Sequence, residues 1–182
     1  MEPSPTDETL MLDYARGDMG AFEALYARHR TGLFRFLMGN VRNQATAEEL
    51  FQDIWQRVVG ARDRYRPEAR FSTWLYQIAH HRLTDHWRRA RHRPEAPDDA
   101  DERIQRVSDP NGPDRRLSEF EERRRLQRAL ETLPPEQREA VLLRLEQELS
   151  LEEIAEMTGV GRETVKSRLR YAMDKLRARL QE

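Results

Sequence analysis

The chain has 182 residues, 37% of them hydrophobic and 36% charged, with a formal net charge of −1. That balance fits a surface-rich helical protein of one large or two small domains. It excludes a bilayer span, because no apolar run nears the roughly 20 residues a membrane helix needs. The absence of cysteine excludes disulfides and thiolate metal sites and agrees with a reducing cytoplasm.

In chain order, residues 1–9 (MEPSPTDET) lack the basic and apolar regions of a signal peptide and read as a loose lead. Asp18 precedes a helix with Phe22, Leu25, Tyr26, His29, Leu33 and Leu37 on one stripe, and residues 39–44 connect it onward. Thr46 with Glu49 forms a capping box that opens AEELFQDIWQRVVGA. Leu50, Ile54 and Val58 lie on one side of this helix and Phe51, Trp55 and Val59 on the adjacent one, an unusually broad apolar arc. One side faces the core. The other is either a wider core contact or a docking face for a partner helix, rimmed by Gln52, Asp53 and Gln56.

Residues 63–71 (DRYRPEARF) form a loop with Pro67 and two aromatic ends. Ser72 can cap the long helix TWLYQIAHHRLTDHWRRARHR, with Trp74, Leu75, Ile78, Ala79 and Leu83 inward. Its second half sets Arg82, Arg88, Arg89, Arg91 and Arg93 against Asp85. Cations interleaved with Trp74, Tyr76, His80, His81, His86 and Trp87 suit single-stranded nucleic acid, where bases stack on rings and cations hold the backbone. A solvated basic helix end, favoured by the macrodipole, accounts for the pattern equally well. His81 and Asp85 share a face, but His80 points roughly 100° away from His81. No second cluster completes a ligand set, so no metal or other cofactor is expected. Nor is there a Walker loop or a nucleophile elbow, which argues against an enzyme.

Over residues 94–114 the composition turns acidic and proline-containing, which cannot build a packed core. We read residues 94–117 as a linker, either a solvated tether or a nucleic-acid mimic, between one domain at 1–93 and another at 118–182. Ser118 with Glu121 caps the next helix, whose inner stripe is Leu126, Ala129, Leu130 and Leu133. Pro134-Pro135 ends it and opens EQREAVLLRLEQE. Ser150 with Glu153 is another capping box, starting a short helix that Thr158-Gly159-Val160 breaks. A second helix restarts near Gly161 with Val165, Leu169, Met173 and Leu176 inward. The pair reads as a helix-turn-helix. Arg162, Lys166, Arg168, Arg170, Lys175, Arg177 and Arg179 outnumber Glu163 and Asp174 on the second helix. That excess suits the phosphates and base edges of DNA, although a merely solvated αα-hairpin fits the same periodicity.

Four segments in this order carry a resemblance: AEELFQDIWQRV (47–58), RFSTWLYQIAHHRLTDHWRR (70–89), LPPEQREAVLLR (133–144) and LSLEEIAEMTGVGRETVKSRLRYAMDKLR (149–177). Together the chain closely resembles the extracytoplasmic-function (ECF) group of the bacterial sigma-70 family, two-domain factors that bring RNA polymerase to promoters. The resemblance implies an all-α fold of two small helical domains joined by a flexible acidic linker. It implies that Leu50, Phe51, Gln52, Asp53, Trp55 and Gln56 dock on core RNA polymerase at the coiled-coil of the β′ clamp, with the β flap as a further contact. Tyr65 to Phe71 would capture a flipped −10 base, where an aromatic pocket offsets a few kcal/mol of lost stacking. Trp74, Tyr76, His80, His81, Asp85, Arg88 and Arg89 would recognise and melt single-stranded −10 DNA. Many relatives carry Asn where this chain has His81, and an imidazole lacks the paired amide groups of Asn, so no −10 base preference is carried over. Arg162, Thr164, Lys166, Ser167, Arg168, Arg170 and Tyr171 match the helix that reads duplex DNA at −35. The resemblance further implies a cytoplasmic protein without catalytic residues, cofactor or membrane insertion, held inactive by an anti-sigma factor. The alternative from another class is a two-domain helix-turn-helix regulator working without polymerase. A metal hydrolase built on His80, His81 and Asp85 stands third.

Overall fold

The computed structural model describes residues 4–92 and 113–181, without the side chains of residues 113–117. The described residues form helices and turns, with no strand among them. The tether expected at 94–117 lies almost entirely outside them. The N-terminal unit contains α1 (Asp7–Ala15), α2 (Met19–Asn40), α3 (Gln44–Ala61), a 3₁₀ turn (Arg62–Arg64) and α4 (Phe71–Ala90). The C-terminal unit contains α5 (Pro113–Glu131), α6 (Pro135–Leu145), α7 (Leu151–Thr158) and α8 (Arg162–Gln181).

The expected loose lead is in part a helix. Thr6 caps α1 by accepting the Thr9 N–H, and Leu10, Met11 and Tyr14 are buried. The Asp7 carboxylate holds α1 to α2, accepting from Arg28 Nη1 at 2.8 Å and meeting His29 Nε2 at 2.7 Å. Burial would raise the Asp7 carboxyl, but the Arg28 and His29 contacts outweigh it and hold it below its ordinary value. A depressed carboxyl binds its proton less readily folded than unfolded. Its stabilisation is therefore complete above the unfolded pKa of about 4 and lost as pH falls through the folded value. Thermal melts from pH 6 to 3 should show Tm falling below about pH 4.5. Asp7→Asn should lower Tm at pH 6 and make that fall shallower.

Three helix starts differ from the expected ones. Asn43, not Thr46, caps α3, its side chain accepting the Thr46 N–H. Asparagine caps as well as threonine, so the helix gains three residues, 44–46. α4 begins at Phe71 rather than after Ser72, and no local side chain caps it. Instead the Phe71 N–H donates to Glu8 Oε1 of α1 at 2.8 Å. α5 likewise starts at Pro113, ahead of Ser118.

Met11, Leu25, Leu33, Phe36, Leu37, Ile54, Leu75 and Leu83 have no or almost no exposed surface and centre the N-terminal core. Ala129, Leu130, Leu133, Leu143, Leu149, Ile154, Val165 and Ala172 centre the other. Leu126, expected on the inner stripe of α5, is exposed. The two cores merge, because α6 and α7 lie against α2 and α4. A Cβ on Gly39 of α2 would come within 2.8 Å of Leu142 Cδ1, so glycine permits this approach of α6. Arg138 of α6 donates Nη1 to the Asn40 carbonyl at the end of α2 at 2.7 Å. Its Nε and Nη2 reach the carbonyls of Leu130 and Leu133, each at 3.0 Å.

Candidate polymerase and nucleic-acid interfaces

On α3 the broad apolar arc divides. Leu50, Ile54, Trp55 and Val58 are buried, and Trp55 meets the rings of Tyr26 at 5.0 Å and Phe22 at 5.9 Å. Leu50 and Trp55, expected to touch a partner, are therefore largely core residues in this fold. A shallow open groove remains, lined by Tyr26, Phe51, Gln52, Trp55, Gln56 and Val59. Gln52, Gln56 and Val59 are its exposed members, Val59 at 40%. Tyr26 and Val59 were not among the expected site residues, although both already lay on apolar stripes. Asp53 is partly covered, pairing with Arg57 within α3 at 3.4 Å and with Arg82 of α4 at 3.6 Å.

The aromatic-basic pattern of α4 separates into an inward aromatic side and an outward cationic end. Tyr65, Phe71 and Tyr76 are each no more than 3% exposed. Tyr65 packs edge-on against Trp74 at 5.0 Å and Phe71 at 6.3 Å. Burial, reinforced by Glu8 and Asp7, pushes the Tyr65 phenol up to about 12. Tyr76 packs on Phe36 at 5.2 Å. Interleaving in sequence thus does not become interleaving on one surface here, since a ring every few residues on the inner face is what an α-helical core requires. Trp74 and His80 are half-buried, and His81, Arg88 and Arg89 are exposed. Asp85 ties Arg82 at 2.6 Å and Arg88 at 3.7 Å. Although His81 is exposed at the surface, partial desolvation, with His80 and Arg82 beside it, holds its imidazole below the ordinary value. The ring is then neutral at pH 7 and offers one donor and one acceptor.

The helix-turn-helix forms at the expected residues. Both bonds of the Ser150–Glu153 capping box are present, the Ser150 N–H to Glu153 Oε2 at 2.8 Å and the Glu153 N–H to Ser150 Oγ at 3.1 Å. Gly159 ends α7 at φ +70°, a left-handed cap that glycine adopts without strain. Val165, Ala172 and Leu176 fix the inner side of α8. That leaves Arg162, Thr164, Lys166, Arg170 and Tyr171 exposed, with Ser167 and Arg168 partly covered. Arg170 lies over the Tyr171 ring at 5.1 Å, Lys166 is 3.8 Å from Glu163, and Arg162 pairs with Glu152 at 2.6 Å.

The residues at the start of α4 and its His80 meet the C-terminal unit, while His81, Arg88 and Arg89 stay exposed. Glu153 Oε1 accepts from Arg70 Nη2 and Thr73 Oγ1, both at 2.9 Å, while Glu139 Oε1 lies 2.7 Å from His80 Nδ1. Local periodicity carries no signal for either pairing. Burial would raise the Glu153 carboxyl, but the Ser150 N–H, Arg70 and Thr73 outweigh it and hold it below its ordinary value.

Comparison with known proteins gives these surfaces a setting. The family model "Sigma-70 region 2" matches residues 25–93 and "Sigma-70, region 4" matches residues 129–178. The RNA polymerase sigma factor CarQ of Myxococcus xanthus is 36% identical over 166 residues, spanning 91% of this chain and 92% of that protein. The ECF RNA polymerase sigma factor SigM of Mycobacterium tuberculosis is 34% identical over 171 residues, spanning 94% of this chain and 83% of its own length. In fold, the sigma factor RpoE solved with the anti-sigma factor NepR from Bartonella quintana is similar, with a TM-score of 0.68 at 23% identity over 88% of this chain and 96% of that one. The chain belongs to the ECF group of the sigma-70 family of RNA polymerase sigma factors.

Proposed function

We propose that the α3 groove docks on the β′ clamp coiled-coil of core polymerase, that α4 and the Tyr65–Phe71 loop engage the single-stranded −10 element, and that α8 reads the −35 duplex. One observation carries this reading: an exposed apolar groove and an exposed cationic recognition helix sit on separate units of one chain. The groove gives a partner apolar area with a polar rim. The cations of α8 give phosphate contacts and base-edge donors. Nucleotide addition belongs to the polymerase, so the chain works by binding and is not itself an enzyme. No helix among the described residues is long and apolar enough to cross a membrane, in keeping with work on cytoplasmic polymerase. An anti-sigma factor belongs to the same reading, as the similarly folded RpoE of Bartonella quintana was solved with one.

Run-off transcription with core polymerase on genomic fragments tests the assignment and yields both promoter elements. Specific starts that depend on the chain are expected. Tight promoter binding by the chain alone, with no association with core, would replace it by a polymerase-independent regulator. On a promoter so found, Lys166→Ala should weaken −35 duplex binding by roughly 1–3 kcal/mol if Lys166 reads a base. An equal loss on unrelated duplexes would make it a phosphate contact.

A further inference from the structure

Residues 66–70 stand exposed between two buried rings, Tyr65 and Phe71, whose centroids are 6.3 Å apart. The loop thus leaves and re-enters the core at nearly one point, and its shape depends on how firmly both ends are held. We infer that Glu8 of α1 is the positioning residue of this loop, its carboxylate fixing the Phe71 end so that a −10 base meets a pocket already built. This role rests on the base capture proposed above and adds what keeps the pocket in shape.

Helix α4 begins without a local cap, since Arg70 at its start makes no capping bond. The first N–H groups of a helix have no partner inside it. Glu8 Oε1 supplies one from 63 residues away, accepting the Phe71 N–H at 2.8 Å. A carboxylate there also suits the positive end of the helix dipole. Glu8 is itself held in place. Thr6 caps α1 just ahead of it, and Leu10, Met11 and Tyr14 bury the helix in the core.

The seat of Phe71 is completed by the His29 ring, 5.1 Å away between centroids, whose Nε2 lies 2.7 Å from Asp7. At the other end of the loop, Arg62 in the 3₁₀ turn before Tyr65 lies over the Tyr14 ring at 5.3 Å. The Tyr65 hydroxyl is buried with no hydrogen-bond partner among the described residues. Packing, not a polar bond, therefore places that ring. One helix thus bears on both ends of the loop. Arg70 and Thr73 also meet Glu153, but that contact crosses to the C-terminal unit. Glu8 holds the loop from within its own unit. A pocket fixed before the base arrives avoids the ordering cost of a loose loop. An unheld loop can still meet phosphates, but it loses the geometry that stacking on a base requires.

The test uses holoenzyme, the chain bound to core polymerase, on a run-off promoter fragment whose −10 non-template strand is left unpaired. Versions with one abasic site at each −10 position report which bases are captured. In the parent, one position should lose about tenfold in affinity when its base is removed, the scale of one stacked base. Glu8→Ala should abolish that penalty and leave penalties at other positions in place. Glu8→Gln should keep it, because an amide oxygen accepts the same N–H. Unfolded protein lowers affinity for every strand alike and cannot change a single ratio. In the free chain, exchange of the Phe71 amide should quicken roughly tenfold in Glu8→Ala and stay at the parent's rate in Glu8→Gln. The role is overturned if Glu8→Ala keeps the penalty, if all penalties shrink equally, or if Glu8→Gln behaves as Glu8→Ala. Unchanged Phe71 exchange in Glu8→Ala overturns it too. If no position carries a penalty in the parent, base capture by this loop fails as a reading; Phe71 exchange still decides whether Glu8 fixes the loop.

Discussion

Arg138→Met is expected to destabilise the protein by about 3–5 kcal/mol, a loss measurable as a lower midpoint in urea at unchanged slope. Arg138 is 9% exposed and its guanidinium donates to three main-chain carbonyls, those of Leu130, Leu133 and Asn40. Two of these close the turn from α5 into α6, where Pro134 and Pro135 have no N–H to offer. The third lies at the end of α2, so one side chain joins the two units. The Leu130 carbonyl keeps the Leu133 N–H at 3.1 Å, but the Leu133 and Asn40 carbonyls lose their donor at about 1–3 kcal/mol each, and methionine fills the volume without supplying one. Arg138→Lys should recover less than half of the loss, because an ammonium on one stem cannot reach three divergent acceptors as the planar fork does. A change below about 1 kcal/mol in Arg138→Met would mean that water satisfies the carbonyls, and Arg138 would not be the joint between the units.

The second large effect concerns core polymerase. Val59→Glu combined with Gln56→Glu should weaken binding at least tenfold, about 1.4 kcal/mol or more, because charge is poorly accommodated at the centre of an apolar contact. Both positions are exposed in the free chain, so the melting curve should shift by no more than a substitution of ~0.5 kcal/mol would cause. Trp55→Ala makes the contrast. Trp55 is 6% exposed and packed by Phe22, Tyr26 and Phe51, and its loss should cost about 3–5 kcal/mol of stability. Weaker polymerase binding by that variant would then follow from unfolding. Titration of labelled protein with core polymerase, paired with urea melts, separates the two. Undiminished affinity in the Gln56–Val59 double variant would move the docking site off α3.

The sequence by itself determined whatever is encoded within a few residues. Ser150 and Glu153 set the start of α7, Gly159 its end and Pro134-Pro135 the break before α6, because a cap or a missing N–H acts on its immediate neighbours. The order of the four motifs was legible too, and with it the family. Tertiary structure decided what depends on residues far apart in the chain. α1 was missed because its own periodicity is weak and its hold comes from Arg28 and His29. α4 starts where Glu8 receives the Phe71 N–H, a cap that no reading of residues 70–73 could reveal. Apolar spacing marked Phe51, Trp55 and Tyr76 as facing something, yet which ring is covered depends on the neighbour that packs there. The same limit hid the pairing of Glu153 with Arg70. In sequence that glutamate completes a helix cap, and the fold gives its second oxygen to the other unit.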